Sequence, residues 1–339
     1  MITQDCADFF SEKDDGLCVY YLPGASNVGM CRLSSHFRCE RDVKSTPFMM
    51  SHSMVQTFMR CPMRFWIAYV KGIQLRRENL GQALKMGIVW DTHDSMLYEG
   101  KSSHDLSNLL RKLNLSQEQH VKLQAMMDAK KEMVDFSRSS DYIGCQQEVK
   151  WSHFDKDNGE IAVHGYVDRL YEGHFVETKF SSRPDNYTTN PFKIASQVGT
   201  YFLCDEKLKY VTMEVARPPA LRLKQGEIPS EYYSRIKMDI RLRPGYYFIG
   251  WNPVTRTYGK RFYREEFAAF IDSWQRRFAF IATEIRERAQ RGAWYYNESA
   301  CNMYGFDCEF LPICSSGEGF VSEKLYTMRE KKIEDPASK

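Results

Sequence analysis

A chain of 339 residues with 43% hydrophobic and 14% aromatic content can bury a large core, and none of its apolar runs reaches the length of a membrane span. The formal net charge of +3 is nearly neutral, so nucleic-acid binding cannot be argued from the total and any charge argument has to be local. Asp5, Asp8, Glu12 and Asp14 interrupt the opening segment, leaving no apolar stretch for a secretory leader, and a cytoplasmic protein with reduced thiols is expected.

Residues 1–45 read as a β-containing accessory segment with a Leu22-Pro-Gly turn between short strands. Cys6, Cys18, Cys31 and Cys39, with His36 nearby, fit no metal-knuckle spacing, and reduced or buried thiols are favoured there over a second metal. A larger domain is expected over 46–318, followed by a polar, mobile tail over 319–339. Its first part, 46–145, is mainly helical: Ser53–Tyr69, Gln82–Tyr98, Ser103–Leu113 and Ser116–Phe136, the last opening on a capping box of Ser116 and Gln119.

Residues 146–216 supply a sheet and one helix. Gln147–Phe154 reads as a strand carrying Glu148 and running into an Asn158-Gly159 turn; 160–170 and 174–182 form a hairpin around Gly173. Side chains alternate along a strand, so Glu177 and Lys179 share one face, and His164, Tyr166 and Asp168 share a face of the neighbour. Two carboxylates can converge there beside one ammonium. Hard oxygen ligands of this kind suit Mg²⁺ or Mn²⁺, with the lysine positioning or helping to deprotonate an attacking water. The same string also occurs as a solvated charged face of an exposed hairpin. Downstream, Pro191–Leu203 has helical spacing, with Phe192, Ala195, Val198 and Phe202 apolar and Gln197 and Tyr201 at i and i+4. Cys145 and Cys204 read as ordinary core thiols.

Between Arg217 and Arg264 there are eleven Lys/Arg against three Asp/Glu, interleaved with Tyr232, Tyr233, Tyr246, Tyr247, Phe248, Trp251 and Tyr258. Two readings stand level: a single-strand channel of basic groups and stacking rings, or a twisted β region with aromatics inside and arginines in solvent. Arg264–Gln290 then reads as a long amphipathic helix with Phe267, Phe270, Ile271, Trp274, Phe278, Ile281 and Ile285 on its apolar side. Cys301, Cys308 and Cys314 follow as C-x6-C-x5-C, and Cys61 lies far upstream. Thiolates in fours suit zinc or an iron–sulfur cluster, and three nearby cysteines can also be a metal-free set.

From about Ser51 to Cys314 the ordered motifs resemble the RecB-like branch of the PD-(D/E)XK nucleases: a Gly-x-x-Asp strand (Gly165 to Asp168), an acid-x-Lys strand (Glu177 to Lys179) and a Gln-x-x-x-Tyr helix (Gln197 to Tyr201). The resemblance implies a restriction-endonuclease-like α/β core, a central mixed sheet flanked by helices, with a helical insertion. It implies metal ligation by Asp168, Glu177 and the backbone carbonyl of Thr178, catalysis by Lys179, and DNA contact by Gln197 and Tyr201. The family's upstream Gly-x-x-x-His motif corresponds here to Gly87-Ile-Val-Trp-Asp91, so Asp91 is the expected ligand in preference to His93.

Cys61-Pro62, followed by Arg64-Phe65 and Tyr69, with the downstream cysteines resembles the iron–sulfur subgroup, which includes CRISPR-associated exonucleases and nuclease subunits of recombination helicases. That implies a [4Fe–4S] cluster, with zinc as the alternative, on Cys61, Cys301, Cys308 and Cys314. Such a bond would close a loop of about 240–250 residues and clamp the chain ends around the core. The resulting expectation is a divalent-metal-dependent DNA exonuclease of phage or prophage type, acting on single strands or ends in recombination, replication or repair, with a helicase or recombinase partner. A catalytically inactive DNA-binding scaffold and a sequence-specific endonuclease are the rivals.

Overall fold

The computed structural model describes residues 29–30, 38–39, 48–99, 104–155, 159–303, 306–316 and 321–329. Cys6, Cys18, Cys31, His36, the Leu22-Pro-Gly turn, Asn158 and most of the expected tail lie outside the described residues. Cys39 falls in a two-residue strand, Arg38–Cys39, antiparallel to Gly29–Met30. The chain forms two compact units, one comprising 80–151 and 163–277 and the other comprising 152–162 with the segments before 80 and after 277.

The stretch 80–277, which includes 152–162 of the other unit, is built on a mixed sheet. Its elements are α1 (Gln82–Glu99), α2 (Gln117–Met133), β1 (Tyr142–Asp155), β2 (Gly159–Tyr171), β3 (His174–Phe180), α3 (Ala195–Cys204), β4 (Tyr210–Ala216), α4 (Pro229–Leu242) and β5 (Lys260–Tyr263). β1 pairs with β2, and β2 turns into antiparallel β3 through Gly173, whose φ of 78° lies in the left-handed region that glycine enters freely. β3 and β4 run parallel in continuous register from His174↔Tyr210 to Phe180↔Ala216, a pairing that requires a crossover, and the segment containing α3 supplies it. β5 closes the order antiparallel to β4.

Alternation along β3 decides what each face meets. Phe175 packs edge-on against Tyr201 and Phe202 of α3, at 5.5 and 5.3 Å between ring centres, and Glu177 and Lys179 share that face. Phe180 stacks on Trp90 of α1 at 4.9 Å, on the opposite face with Thr178. Each face thus has its own core. One gathers Val89, Trp90, Leu123, Met126, Tyr232, Ile236 and Ile240; the other gathers Val167, Phe175, Val198, Phe202, Val211 and Phe262. Burying each such side chain is worth about 1.5–3 kcal/mol. The Ser116 capping box forms as expected, Ser116 Oγ accepting from Gln119 N at 3.3 Å while Gln119 Oε1 accepts from Ser116 N at 3.1 Å.

Three sequence expectations are corrected. Ser53–Tyr69 is not one helix: helix His52–Arg60 stops at Cys61, whose backbone is extended (φ −161°, ψ 113°), and a second helix starts at Pro62. The residue before a proline is pushed out of the α region, so the break follows from Pro62. Pro191–Leu203 opens as a 3₁₀ turn at Pro191–Lys193 before α3 begins.

The third correction concerns 217–264, whose longest element is the helix α4, joined by loops to the short strand β5, rather than a twisted β region. Pro229 sits in the first turn of α4, and Tyr232, Ile236 and Ile240 recur every four residues as its buried stripe. Tyr232, Tyr247, Phe248 and Tyr258 are all buried, so most of these rings are core and present no open stacking track. Several of the cations are also neutralised: Lys237 and Arg241 reach Glu132 at 2.5 and 2.8 Å, and Arg235 grips Glu227 through two bonds of 2.7 Å.

In the other unit, strand Ile73–Leu75 pairs antiparallel with Tyr326–Met328. Ile67, Ala68, Phe310, Ile313 and Tyr326 form its small apolar cluster. Arg64 donates to Glu309 Oε1 at 3.0 and 2.6 Å, Met63 N donates to Tyr295 O at 3.1 Å, and Asn297 Nδ2 donates to Arg60 O at 2.8 Å. Segments distant in sequence are therefore already joined here by protein contacts. The long helix runs over Ala268–Arg291, entered through a 3₁₀ turn at Arg264–Phe267, with Trp274, Phe278, Ile281 and Ile285 buried.

Candidate active site

Asp168 near the end of β2, Glu177 and Lys179 on β3, Gln197 and Tyr201 on α3 and Asp91 on α1 are linked by hydrogen bonds and close electrostatic contacts. Asp168 Oδ2 accepts the backbone N–H of Thr178 at 2.7 Å, which ties the carboxylate to the neighbouring strand. Glu177 is only 2% exposed; its Oε1 accepts from Lys179 Nζ and, at 2.6 Å, from Gln197 Nε2. Its Oε2 has no partner among the described residues, although it is buried. A buried carboxylate oxygen left bare is costly, and a cation is the group that would offset it.

The electrostatics agree. Burial, then Glu177, pushes the Asp168 carboxyl up to about 7, and burial, then Asp168 and Asp94, pushes Asp91 up to about 7 as well. Burial opposes the Lys179 ammonium, yet Glu177 and Asp168 beside it push it up to about 12. Carboxylates crowd here beyond what one ammonium neutralises, and their oxygens are the hard donors that Mg²⁺ or Mn²⁺ prefers. Among the described residues, no three Asp, Glu, His or Cys side chains are already drawn about one point as an ion's shell. The donor chemistry fits a divalent ion, while Glu177 is turned toward Lys179 and Gln197.

Gln197 and Tyr201, the expected DNA-contacting pair, are hydrogen-bonded to each other and to neighbouring groups of the site. Tyr201 is 5% exposed, donates its hydroxyl to Tyr166 O at 3.0 Å and accepts from Gln197 Nε2 at 3.0 Å. The pair is a brace behind Glu177. It depends on Gly165, because a Cβ there would meet the Tyr201 ring at 2.5 Å. His164 faces Glu148, at 3.1 Å from Nδ1 to Oε1. His93 Nδ1 is buried without a partner among the described residues, and burial, then Lys130, lowers it to about 4.

Beneath the acids lies a buried charge network that the sequence did not announce. Asp94, one turn after Asp91, pairs with Lys130 of α2, accepts the Thr178 hydroxyl at 3.2 Å and lies 3.6 Å from Arg169. Arg169 in turn pairs with Glu214 of β4 and covers the Tyr98 ring at 4.0 Å. Burial works against the Asp94 carboxylate, but Lys130 and Arg169 hold it below its usual value. Asp168 and Arg169 are adjacent in a strand and so face opposite ways, one into the site and one into this network. Gln146 of β1 was also missed. Its amide reaches Asp168 and Asp91, and no motif marked it.

The PD-(D/E)XK nuclease superfamily model matches residues 49–315, well over half of the chain. The chain belongs to the PD-(D/E)XK nuclease superfamily. Membership implies a phosphodiesterase acting on nucleic acid, and nucleases of this superfamily typically use a divalent metal. The mixed sheet flanked by helices is consistent with that core. Comparison with curated proteins finds no significant match. No described helix is long and apolar enough to cross a membrane.

The cysteines form a second cluster, in the other unit. Cys61 caps the Pro62–Phe65 helix, its Sγ accepting from Arg64 N at 3.5 Å, and Cys308 N donates to Cys301 O at 2.7 Å. Burial, then Cys308, Cys61 and Cys301, pushes the Cys314 thiol up to about 11, so the other three sulfurs lie within electrostatic reach of Cys314. They are free thiols in the structure. Cys145 is buried beside the Tyr142 hydroxyl, and Cys204, pushed up to about 12 by burial, lies 3.7 Å from Val163 O.

Proposed function

We propose that this nuclease is a divalent-metal-dependent deoxyribonuclease, an exonuclease on single-stranded DNA or DNA ends. The observation that carries the reading is the crowding of Asp91, Asp168 and Glu177 around Lys179, with a buried Glu177 oxygen left bare. In this reading Asp91, Asp168, Glu177 and the Thr178 carbonyl hold the ion. When bound, Mg²⁺ or Mn²⁺ supplies Lewis acidity toward a phosphoryl oxygen. Thr178 N–H orients Asp168, Gln197 orients Glu177, and Tyr201 holds Gln197 in place. Lys179, pushed up to about 12, keeps its proton at neutral pH; it orients the attacking water and offsets charge on the phosphate rather than serving as the base.

Cys61, Cys301, Cys308 and Cys314 are proposed to hold a [4Fe–4S] cluster, with zinc as the alternative, in a structural role. The preference for ends or single strands, the helicase or recombinase partner, the phage or prophage setting and the bacterial cytoplasm all rest on resemblance to the iron–sulfur subgroup. The buried aromatics of 217–264 lend them no support.

The test is degradation of end-labelled linear single strands and closed circular DNA by anaerobically purified protein with Mg²⁺ or Mn²⁺, beside Lys179→Ala. Metal-dependent loss of linear strands alone, absent in the variant, is the expected result. Cutting of circles at a defined site would favour a sequence-specific endonuclease, and binding without cleavage under either metal an inactive scaffold.

A further inference from the structure

Gln146 has a backbone conformation that its residue type does not favour. Its φ of 50° lies in the left-handed region, within strand β1, where glycine, asparagine or aspartate would be at ease and glutamine is not. Both neighbours pin the turn: the Cys145 thiol is bound by the Tyr142 hydroxyl at 3.2 Å, and Gln147 Nε2 donates to Cys145 O at 3.0 Å. Strain of this kind persists where the surroundings over-determine it, and it clusters at functional sites.

The turn brings an exposed, neutral side chain to the acid cluster. Gln146 Nε2 donates to Asp168 Oδ1 at 3.2 Å and reaches Asp91 Oδ1 at 3.5 Å, so one amide nitrogen spans two carboxylates from different elements. Each of those carboxylates also lies in a surplus of negative charge. A partially positive N–H between two acids is what a cation would replace.

We infer that Gln146 belongs to the metal centre: its amide nitrogen bridges Asp91 and Asp168 in the absence of an ion, and rotation of the carboxamide presents its oxygen as an additional neutral ligand when the ion binds. The inference rests on the metal-centre reading proposed above. The rotation costs little, because the last side-chain torsion of glutamine is broad and a half-turn exchanges nitrogen and oxygen at nearly the same points. Carboxamide oxygens are ordinary ligands for hard divalent ions. A neutral ligand also completes the shell without adding to the crowd of carboxylates.

Two substitutions separate ligation from structure. Gln146→Gly keeps the left-handed backbone, which glycine adopts freely, and removes the amide; Gln146→Glu keeps the reach and offers a carboxylate oxygen. Mn²⁺ binding to the full chain is measured by calorimetry and by the Mn²⁺ resonance signal, without DNA, beside the thermal melting of the metal-free proteins. Gln146→Gly is expected to weaken Mn²⁺ binding about tenfold while the metal-free protein melts no lower than the parent, and Gln146→Glu to bind at least as tightly as the parent. Parent-like Mn²⁺ affinity in Gln146→Gly, or equal weakening by both substitutions, would overturn the inference and leave the metal centre standing. Failure of the parent chain to bind Mn²⁺ would overturn the metal centre and this inference together.

Discussion

The acid cluster and the cysteine cluster differ in how far the protein alone has assembled them. Around Asp168 and Glu177 the chain supplies counter-charges and donors in place: Lys179, Gln197, the Thr178 amide and, beneath, Lys130 and Arg169. Around Cys314 it supplies only proximity. The sulfurs are free and burial raises the Cys308 and Cys314 thiols, so a ligand must displace protons there to complete the site. A site that turns over must keep its groups oriented between cycles, whereas a structural site needs only to be completed once.

The largest expected effect is on chemistry. Asp168→Ala or Glu177→Ala should lower cleavage of end-labelled DNA by roughly a thousandfold or more while circular dichroism and melting stay near the parent's, because a metal ligand is lost and the core is not. Retained turnover in Asp168→Ala would remove the acid cluster from the mechanism. Next comes the network beneath it. Arg169→Leu strands Asp94 and Glu214 as buried, under-compensated carboxylates and should cost about 3–5 kcal/mol in urea unfolding. A loss near zero would mean the acids are not held by buried charge, and the contrast between the clusters would fail.

Cys308→Ser should lower the melting temperature of the metal-loaded protein by several degrees and bleach any iron–sulfur absorbance, effects that Asp168→Ala should not share. Unchanged metal content and melting in Cys308→Ser would end the clamp proposal. The smallest effect lies outside both clusters. Glu227, bonded to Arg235, is depressed to about 2 from its usual 4.5, so its stabilisation is present above the usual value and lost as pH falls through about 2. Glu227→Gln should therefore slightly flatten the acid limb of a stability–pH curve between those values; an unaltered limb would show that the pair adds nothing.

Much of the candidate site was legible because strands and helices repeat with fixed periods. The two-residue period placed Glu177 and Lys179 on one face, and the i, i+4 spacing placed Gln197 over Tyr201. The break at Cys61 was also written in the chain, in Pro62, but the apolar spacing on either side masked it. The 217–264 segment misled because aromatic and basic residues serve a packed helix as readily as a strand-binding channel. Only burial tells them apart, and Tyr232 and Tyr247 are buried.

By itself, then, the sequence determined the order of motifs, the hairpin that carries Asp168, Glu177 and Lys179, and the family to which the chain belongs. Tertiary structure alone decided that Asp94 would meet Lys130 and Arg169, that Tyr201 would turn inward, and that Gln146 would span Asp91 and Asp168. The reason is physical. Periodicity reports which way a side chain points, whereas the partner it meets there belongs to another element, often tens of residues away, and is set by how the layers pack.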